Sequence, residues 1–165
     1  LYLFLISIID LKNQKLKLSQ RISHLAFSIL VISIILNSVF SKELSVNLKV
    51  GEEKMISDHI VNFEKISKRK IDNYTSIRAK IVIKQNKNKL DFYPELRLYE
   101  TPKMITSEAD IKTNLFNDNL LVVNYLKDTE YLNIRYQKKP FMLLIWLSAI
   151  MLGLGGILGL RDKLK

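Results

Sequence analysis

The 165 residues include two histidines and no cysteine, so the chemistry this chain can carry is narrow. Without a thiol there is no disulfide framework, no zinc-thiolate site, no redox dithiol and no cysteine nucleophile. The five glycines stand at position 51 or between 153 and 159, not between a strand and a soluble helix, so no phosphate-cradling loop is present. No Gly-x-Ser-x-Gly elbow occurs either. His59, between Asp58 and Ile60, reads as an ordinary surface or strand-edge histidine. His24 differs in kind, because it opens an almost wholly apolar run and an ionisable residue in a membrane helix is costly unless paired or coordinated. A neutral imidazole among apolar side chains is a good axial ligand for haem iron. Three residues past Arg21, it equally suits a helix end near the headgroups, and the residues alone leave both readings open.

The elements that must position His24 follow from where charge is absent. Lys and Arg number 26 against 16 Asp and Glu, a net charge of +10, yet 48% of residues are hydrophobic and they gather in blocks. That excludes a disordered basic tail, which could not bury enough apolar surface to fold. Residues 22–40 form a stretch of membrane-spanning length, since about 20 apolar residues are needed to cross a bilayer. Residues 140–160 carry no ionisable side chain, with Phe141 and Trp146 at the start and Arg161, Lys163 and Lys165 just after the end. Pro140 suits the first turn of that helix, where its missing N–H has no partner to lose. Gly153, Gly155, Gly156 and Gly159 suit a close approach by a second helix.

Residues 1–9 are apolar but too short to span, which fits the end of a truncated transmembrane helix. Leu1 in place of Met, with no basic stretch before the apolar run, fits a C-terminal fragment of a longer chain and not a signal peptide. Residues 10–21 form a basic loop with Lys12, Lys15, Lys17 and Arg21. The positive-inside bias places it, and the tail at 161–165, in the cytoplasm. Residues 41–139 then lie on the other side. The dense basic run there, Lys65 to Lys70, reads as a solvated turn or a surface for anionic lipid or an acidic partner, and nucleic acid is excluded as a partner by this topology.

The 41–139 segment reads as one small β-rich domain, a sandwich or partly open barrel. Strand patterns run over Leu44 to Val50, Ile77 to Lys84, Leu90 to Tyr99, Leu120 to Tyr125 and Tyr131 to Gln137. Gln85 to Lys89 reads as a polar turn, and Pro94 restricts its strand to an edge or a bulge. Ser107 to Phe116 is the one stretch of the insert with helix-like character.

The order of these features resembles the C-terminal part of the CcmF family of cytochrome c-type biogenesis proteins, from about Ser23 to Asp162. A family pattern Pro-Glu-Lys-Arg-x-Tyr followed by Met and Thr-Glu-Ala-x-Ile is matched by Pro94-Glu95-Leu96-Arg97-Leu98-Tyr99, Met104 and Ser107-Glu108-Ala109-Asp110-Ile111. Asn73-Tyr74, Lys139-Pro140-Phe141, Ile145-Trp146-Leu147, Gly155-Gly156 and Asp162 match further elements. Departures are Ala26 for the glycine of His-Leu-Gly, Ile71-Asp72 for a Gly-Pro, and Leu96 for a lysine.

The resemblance implies a subunit of the haem lyase of cytochrome c maturation, in the bacterial inner membrane, with transmembrane α-helices flanking a small periplasmic domain. It implies haem delivered by the chaperone CcmE, the partners CcmH and CcmI, and attachment to apocytochrome c. His24 corresponds to the His-Leu histidine, one axial ligand of haem b, the second ligand being expected outside this segment. Arg97, Tyr99 and Glu108 are expected to hold the fold. The resemblance does not separate the general family from its branch dedicated to nitrite reductase. Whether this segment is itself an enzyme stays open. A reading of another class is a structural, membrane-anchored β domain of an envelope complex that binds no haem. A transporter fragment finds no broken helix or paired charge to support it.

Overall fold

Residues 2–13, 15–85, 88–127 and 129–164 are described in a computed structural model. Leu1 and Lys165, and residues 86 and 87 of the expected polar turn, lie outside them. The chain divides into two units.

The first unit is helical. It comprises α1 (Tyr2–Lys12), α2 (Leu18–Phe40) and α3 (Met142–Leu164), with residues 114–117 beside them. α2 and α3 are each long and apolar enough to cross a membrane. Their packing is that of a membrane pair: Ser19, Ser28, Ser33, Ser148 and Gly155 are buried, while Phe27, Ile35, Trp146, Ile150 and Ile157 are exposed. A soluble helix pair would show the reverse, because water drives large apolar groups inward and lipid does not. Gly155 permits the close approach, since a Cβ there would lie 2.3 Å from Ser23 Oγ and 3.2 Å from Ser23 N. Ser19 Oγ donates to Asp162 Oδ2 at 2.9 Å, and Asn37 Nδ2 donates to the carbonyl of Pro140.

Two boundaries differ from the sequence reading. The expected loop at 10–21 is mostly helix: α1 continues through Asp10 to Lys12, and α2 starts at Leu18. The turn between them is closed by Asn13 N–H to Asp10 O and Leu16 N–H to Asn13 O. Arg21 Nη1 donates to Leu11 O, satisfying an end carbonyl of α1 that would otherwise lack a partner. Pro140 ends a strand instead of opening α3. Phe141, at φ 63°, makes the corner, and its N–H donates to Phe116 O at 3.0 Å.

The second unit is a sandwich of two antiparallel sheets. Its strands are β1 (Lys42–Leu48), β2 (Glu53–Ile56), β3 (His59–Ile71), β4 (Tyr74–Gln85), β5 (Asn88–Phe92), β6 (Glu95–Tyr99), β7 (Met104–Glu108), β8 (Asp110–Thr113), β9 (Asn117–Tyr125) and β10 (Leu132–Pro140). One sheet runs β1-β10-β9-β8. The other runs β2-β3-β4-β6-β7, with β5 also on β4. Phe63, Ile81 and Phe92 from the larger sheet meet Val46, Leu121 and Ile134 from the smaller.

β5 and β6 lie end to end along β4, pairing with residues 81–85 and 74–78 respectively. Pro94 occupies the break between them, and its carbonyl accepts from Ala79 N–H at 3.0 Å. It therefore sits at an interruption between β5, which pairs with β4 alone, and β6, which pairs with both β4 and β7. The helix-like stretch at 107–116 is instead β7 and β8, one chain passing from the larger sheet to the smaller at Ala109. The basic run at 65–70 is strand, not turn. A bulge between Phe63 and Lys65 flips the facing of β3: Val61 and Phe63 point to the core, but Lys65, Ser67 and Arg69 lie opposite Lys80, Arg78 and Ser76 on the outer face.

Candidate haem-binding groove

His24 lies on the second turn of α2, and Asp10 on the last turn of α1. The short connection folds the two helices side by side and brings His24 Nδ1 to 2.8 Å from Asp10 Oδ2. Asp10 is the only carboxylate before Glu43. Its side chain is 19% exposed and that of His24 is 54% exposed, so the pair sits at the mouth of a recess. That recess is an apolar groove of about 430 Å³ walled by Leu3, Ile6, Phe27 and Leu152, with Ser7 and Ser23 the other polar side chains of its lining among the described residues.

The hydrogen bond has a chemical consequence. With Asp10 ionised, Nδ1 carries the proton and donates it to the carboxylate, which leaves the lone pair on Nε2 free. A carboxylate behind the ring also makes that lone pair a stronger donor. One oriented imidazole beside an apolar wall fits one face of a haem, whose ring is apolar and whose iron takes a histidine nitrogen. Among the described residues there is no cluster of three or more His, Asp or Glu side chains that would hold a bare metal ion.

The sequence reading singles out His24 and leaves Asp10 in a loop. The signal for Asp10 is present all the same: it is a lone carboxylate closing an apolar run, one turn away from the histidine-bearing segment.

His59 is not the surface residue that its flanks suggest. It is buried at the start of β3, 6% exposed, with Nδ1 2.7 Å from Asp58 Oδ1 and its ring 5.7 Å from that of Tyr136. Its Nε2 is buried without a hydrogen-bond partner among the described residues. Of the motif residues, Arg97 Nε donates to Glu95 Oε1 at 3.0 Å and Nη1 lies 3.6 Å from Glu108, while the Tyr74 and Tyr99 rings are 5.2 Å apart. These join β4, β6 and β7 and lie in the β unit, whereas His24 belongs to the helical one.

The model of the CcmF C-terminal β-sandwich matches residues 39–140. The chain belongs to the CcmF family. It is 26% identical over 144 residues to the cytochrome c-type biogenesis protein CcmF of Pseudomonas aeruginosa, covering 87% of this chain and 22% of that protein. The Haemophilus influenzae CcmF is 28% identical over 143 residues, 86% of this chain and 22% of its own. The probable biogenesis protein NrfE of Escherichia coli is 22% identical over 153 residues, 92% of this chain and 28% of its own. The solved structure of the cytochrome c heme lyase CcmF superposes with a TM-score of 0.66 at 13% identity, covering 84% of this chain and 23% of that one. The chain thus spans 22% to 28% of the length of these CcmF-type proteins, and its architecture is that of the C-terminal part of CcmF.

Proposed function

We propose that this CcmF-type chain supplies one axial ligand, His24, to a b-type haem in the membrane, within a complex that attaches haem to apocytochrome c. The observation that carries the reading is the Asp10–His24 hydrogen bond at the mouth of an apolar groove. Bound there, haem would supply a redox-active iron. The chain's own residues do the rest. Asp10 holds the imidazole with Nε2 free, Leu3, Ile6, Phe27 and Leu152 exclude water from the wall, and Gly155 lets α3 pack closely on α2. The second axial ligand belongs to a segment outside this chain. The β-sandwich faces the periplasm, and α2 and α3 cross the bacterial inner membrane. The basic residues at the two helix ends support that orientation. The haem chaperone CcmE and the subunits CcmH and CcmI are the partners the family resemblance implies.

The test is a reduced-minus-oxidised spectrum with a pyridine haemochrome assay on the full-length parent, comparing wild type with His24→Ala and with His24→Gly plus imidazole. Loss of the b-type spectrum in the alanine variant and recovery with imidazole is the expected result. An unchanged haem level and spectrum would leave this segment a structural anchor and docking domain.

A further inference from the structure

The larger sheet of the β-sandwich carries a cluster of arginines on its outer face that haem ligation does not use. Strand register sets three rows across β3, β4 and β6: Ser67, Arg78 and Glu95; Arg69, Ser76 and Arg97; Ile71, Tyr74 and Tyr99. The β3 bulge is what brings the first two rows into line, since it turns Ser67 and Arg69 outward. These side chains, all but that of Tyr99, line a concave cup of about 230 Å³.

Three guanidinium groups there meet one carboxylate. Glu95, buried on the floor, accepts from Arg97 Nε at 3.0 Å and from Arg78 Nη2 at 3.4 Å. The cup thus already holds one carboxylate between arginines. Arg97 is taken up further by Glu108. Arg78 commits one nitrogen, and Arg69 has no ion pair among the described residues. An unpaired guanidinium beside one with spare N–H groups is a fork that matches a second carboxylate.

We propose that this cup receives an acidic side chain from a peptide segment of a partner protein, its carboxylate between Arg69 and Arg78 and a neighbouring apolar residue against Ile71 and Tyr74. Charge complementarity favours this occupant, because Arg69, Arg78 and Arg97 set three guanidinium groups in the cup against the single carboxylate of Glu95. Shape favours it over a free oxyanion, which would leave the apolar and aromatic row of the cup unused. The inference is independent of haem ligation by His24.

The test uses the full chain in neutral detergent micelles and a fluorescein-labelled peptide of alternating Glu and Leu, with its Gln-for-Glu counterpart, followed by anisotropy. Arg69→Gln removes the unpaired guanidinium without touching the Glu95 pairs. Lys68→Gln removes the same charge from the opposite face of the strand. The expected result is that the Glu peptide binds, the Gln peptide binds at least tenfold more weakly, Arg69→Gln costs about tenfold and Lys68→Gln less than twofold. Equal losses in the two variants would overturn the site in favour of diffuse charge. So would competition by inorganic phosphate as effective as that of the unlabelled peptide, which means a small-anion site. Binding to phosphatidylglycerol vesicles that depends on Arg69, with no peptide binding, would assign the cup to lipid, and no binding of either probe would remove it.

Discussion

His24 Nδ1 stands 2.8 Å from Asp10 Oδ2, a contact that joins the last turn of α1 to the second turn of α2. An imidazole backed by a carboxylate donates more electron density from its other nitrogen and so favours the oxidised state of a bound iron. In the full-length parent, Asp10→Asn keeps a neutral hydrogen-bond partner but removes the charge. The expected outcome is a haem that stays bound with its midpoint potential raised by on the order of tens of millivolts, read by redox titration. An unchanged potential with haem retained would show that Asp10 only caps the turn. Loss of haem in His24→Ala bears on ligation separately.

Gly155 and Gly156 are neighbours with opposite surroundings. A Cβ at Gly155 would meet the Ser23 hydroxyl at 2.3 Å and the Ser23 backbone nitrogen at 3.2 Å, whereas one at Gly156 meets nothing within 4 Å. Gly155→Ala therefore forces α3 away from α2. It is expected to cost about 1–3 kcal/mol, the usual cost of overpacking, and Gly156→Ala less than about 0.5 kcal/mol. Thermal unfolding in detergent checks the pair, and equal effects would mean that the helices do not pack through Gly155.

What the sequence made readable, and what it hid, divides along physical lines. α2 and α3 stand out because twenty apolar residues without charge need no periodicity to be noticed. β1, β4 and β10 show the alternation of strands with one face on a core. β3 does not, because the bulge at Glu64 reverses its facing midway and its second half extends past the core with charged residues on both sides. β7 and β8 bury too little of either face to leave a period-two pattern. His24 could be picked out from residue type alone. Asp10 could not be joined to it until α1 was known to run on to Lys12. The arginine cup depends on cross-strand register, which the linear order does not carry.

His59 buries a nitrogen, Nε2, with no partner among the described residues, yet its ring packs on Tyr136 inside the sandwich. His59→Phe keeps the ring contact and removes the unsatisfied atom. Asp58, half exposed, can exchange the lost partner for water and keeps Gln85 Nε2 at 2.6 Å. The expected change is between zero and about 1 kcal/mol of added stability. His59→Ala, which leaves a cavity, is expected to cost about 2–4 kcal/mol. A marked loss in the phenylalanine variant, measured by denaturant unfolding, would mean that the buried nitrogen has a partner in solution.

Glu95 links the arginine cup to the stability of the sandwich through pH. Burial, the largest single influence, pushes its carboxyl up, but hydrogen bonds from Arg97, Ser76 and Arg78 together outweigh it and hold the group below the ordinary glutamate value. A carboxylate held low in the folded state binds fewer protons there than in the unfolded chain, so the stability it contributes is complete above the ordinary value. It is lost as pH falls through the depressed folded one. Stability of the wild-type sandwich should therefore be insensitive to this group from neutral pH down to about pH 5 and should decline below about pH 4. Glu95→Gln leaves the floor of the cup neutral and its arginines partly unpaired. It is expected to lower stability by about 1–3 kcal/mol at pH 7 and to flatten the acid limb of the profile, so that the two proteins converge as pH falls through the depressed folded value. Parallel profiles offset by a constant amount would show that Glu95 contributes by packing and not by charge.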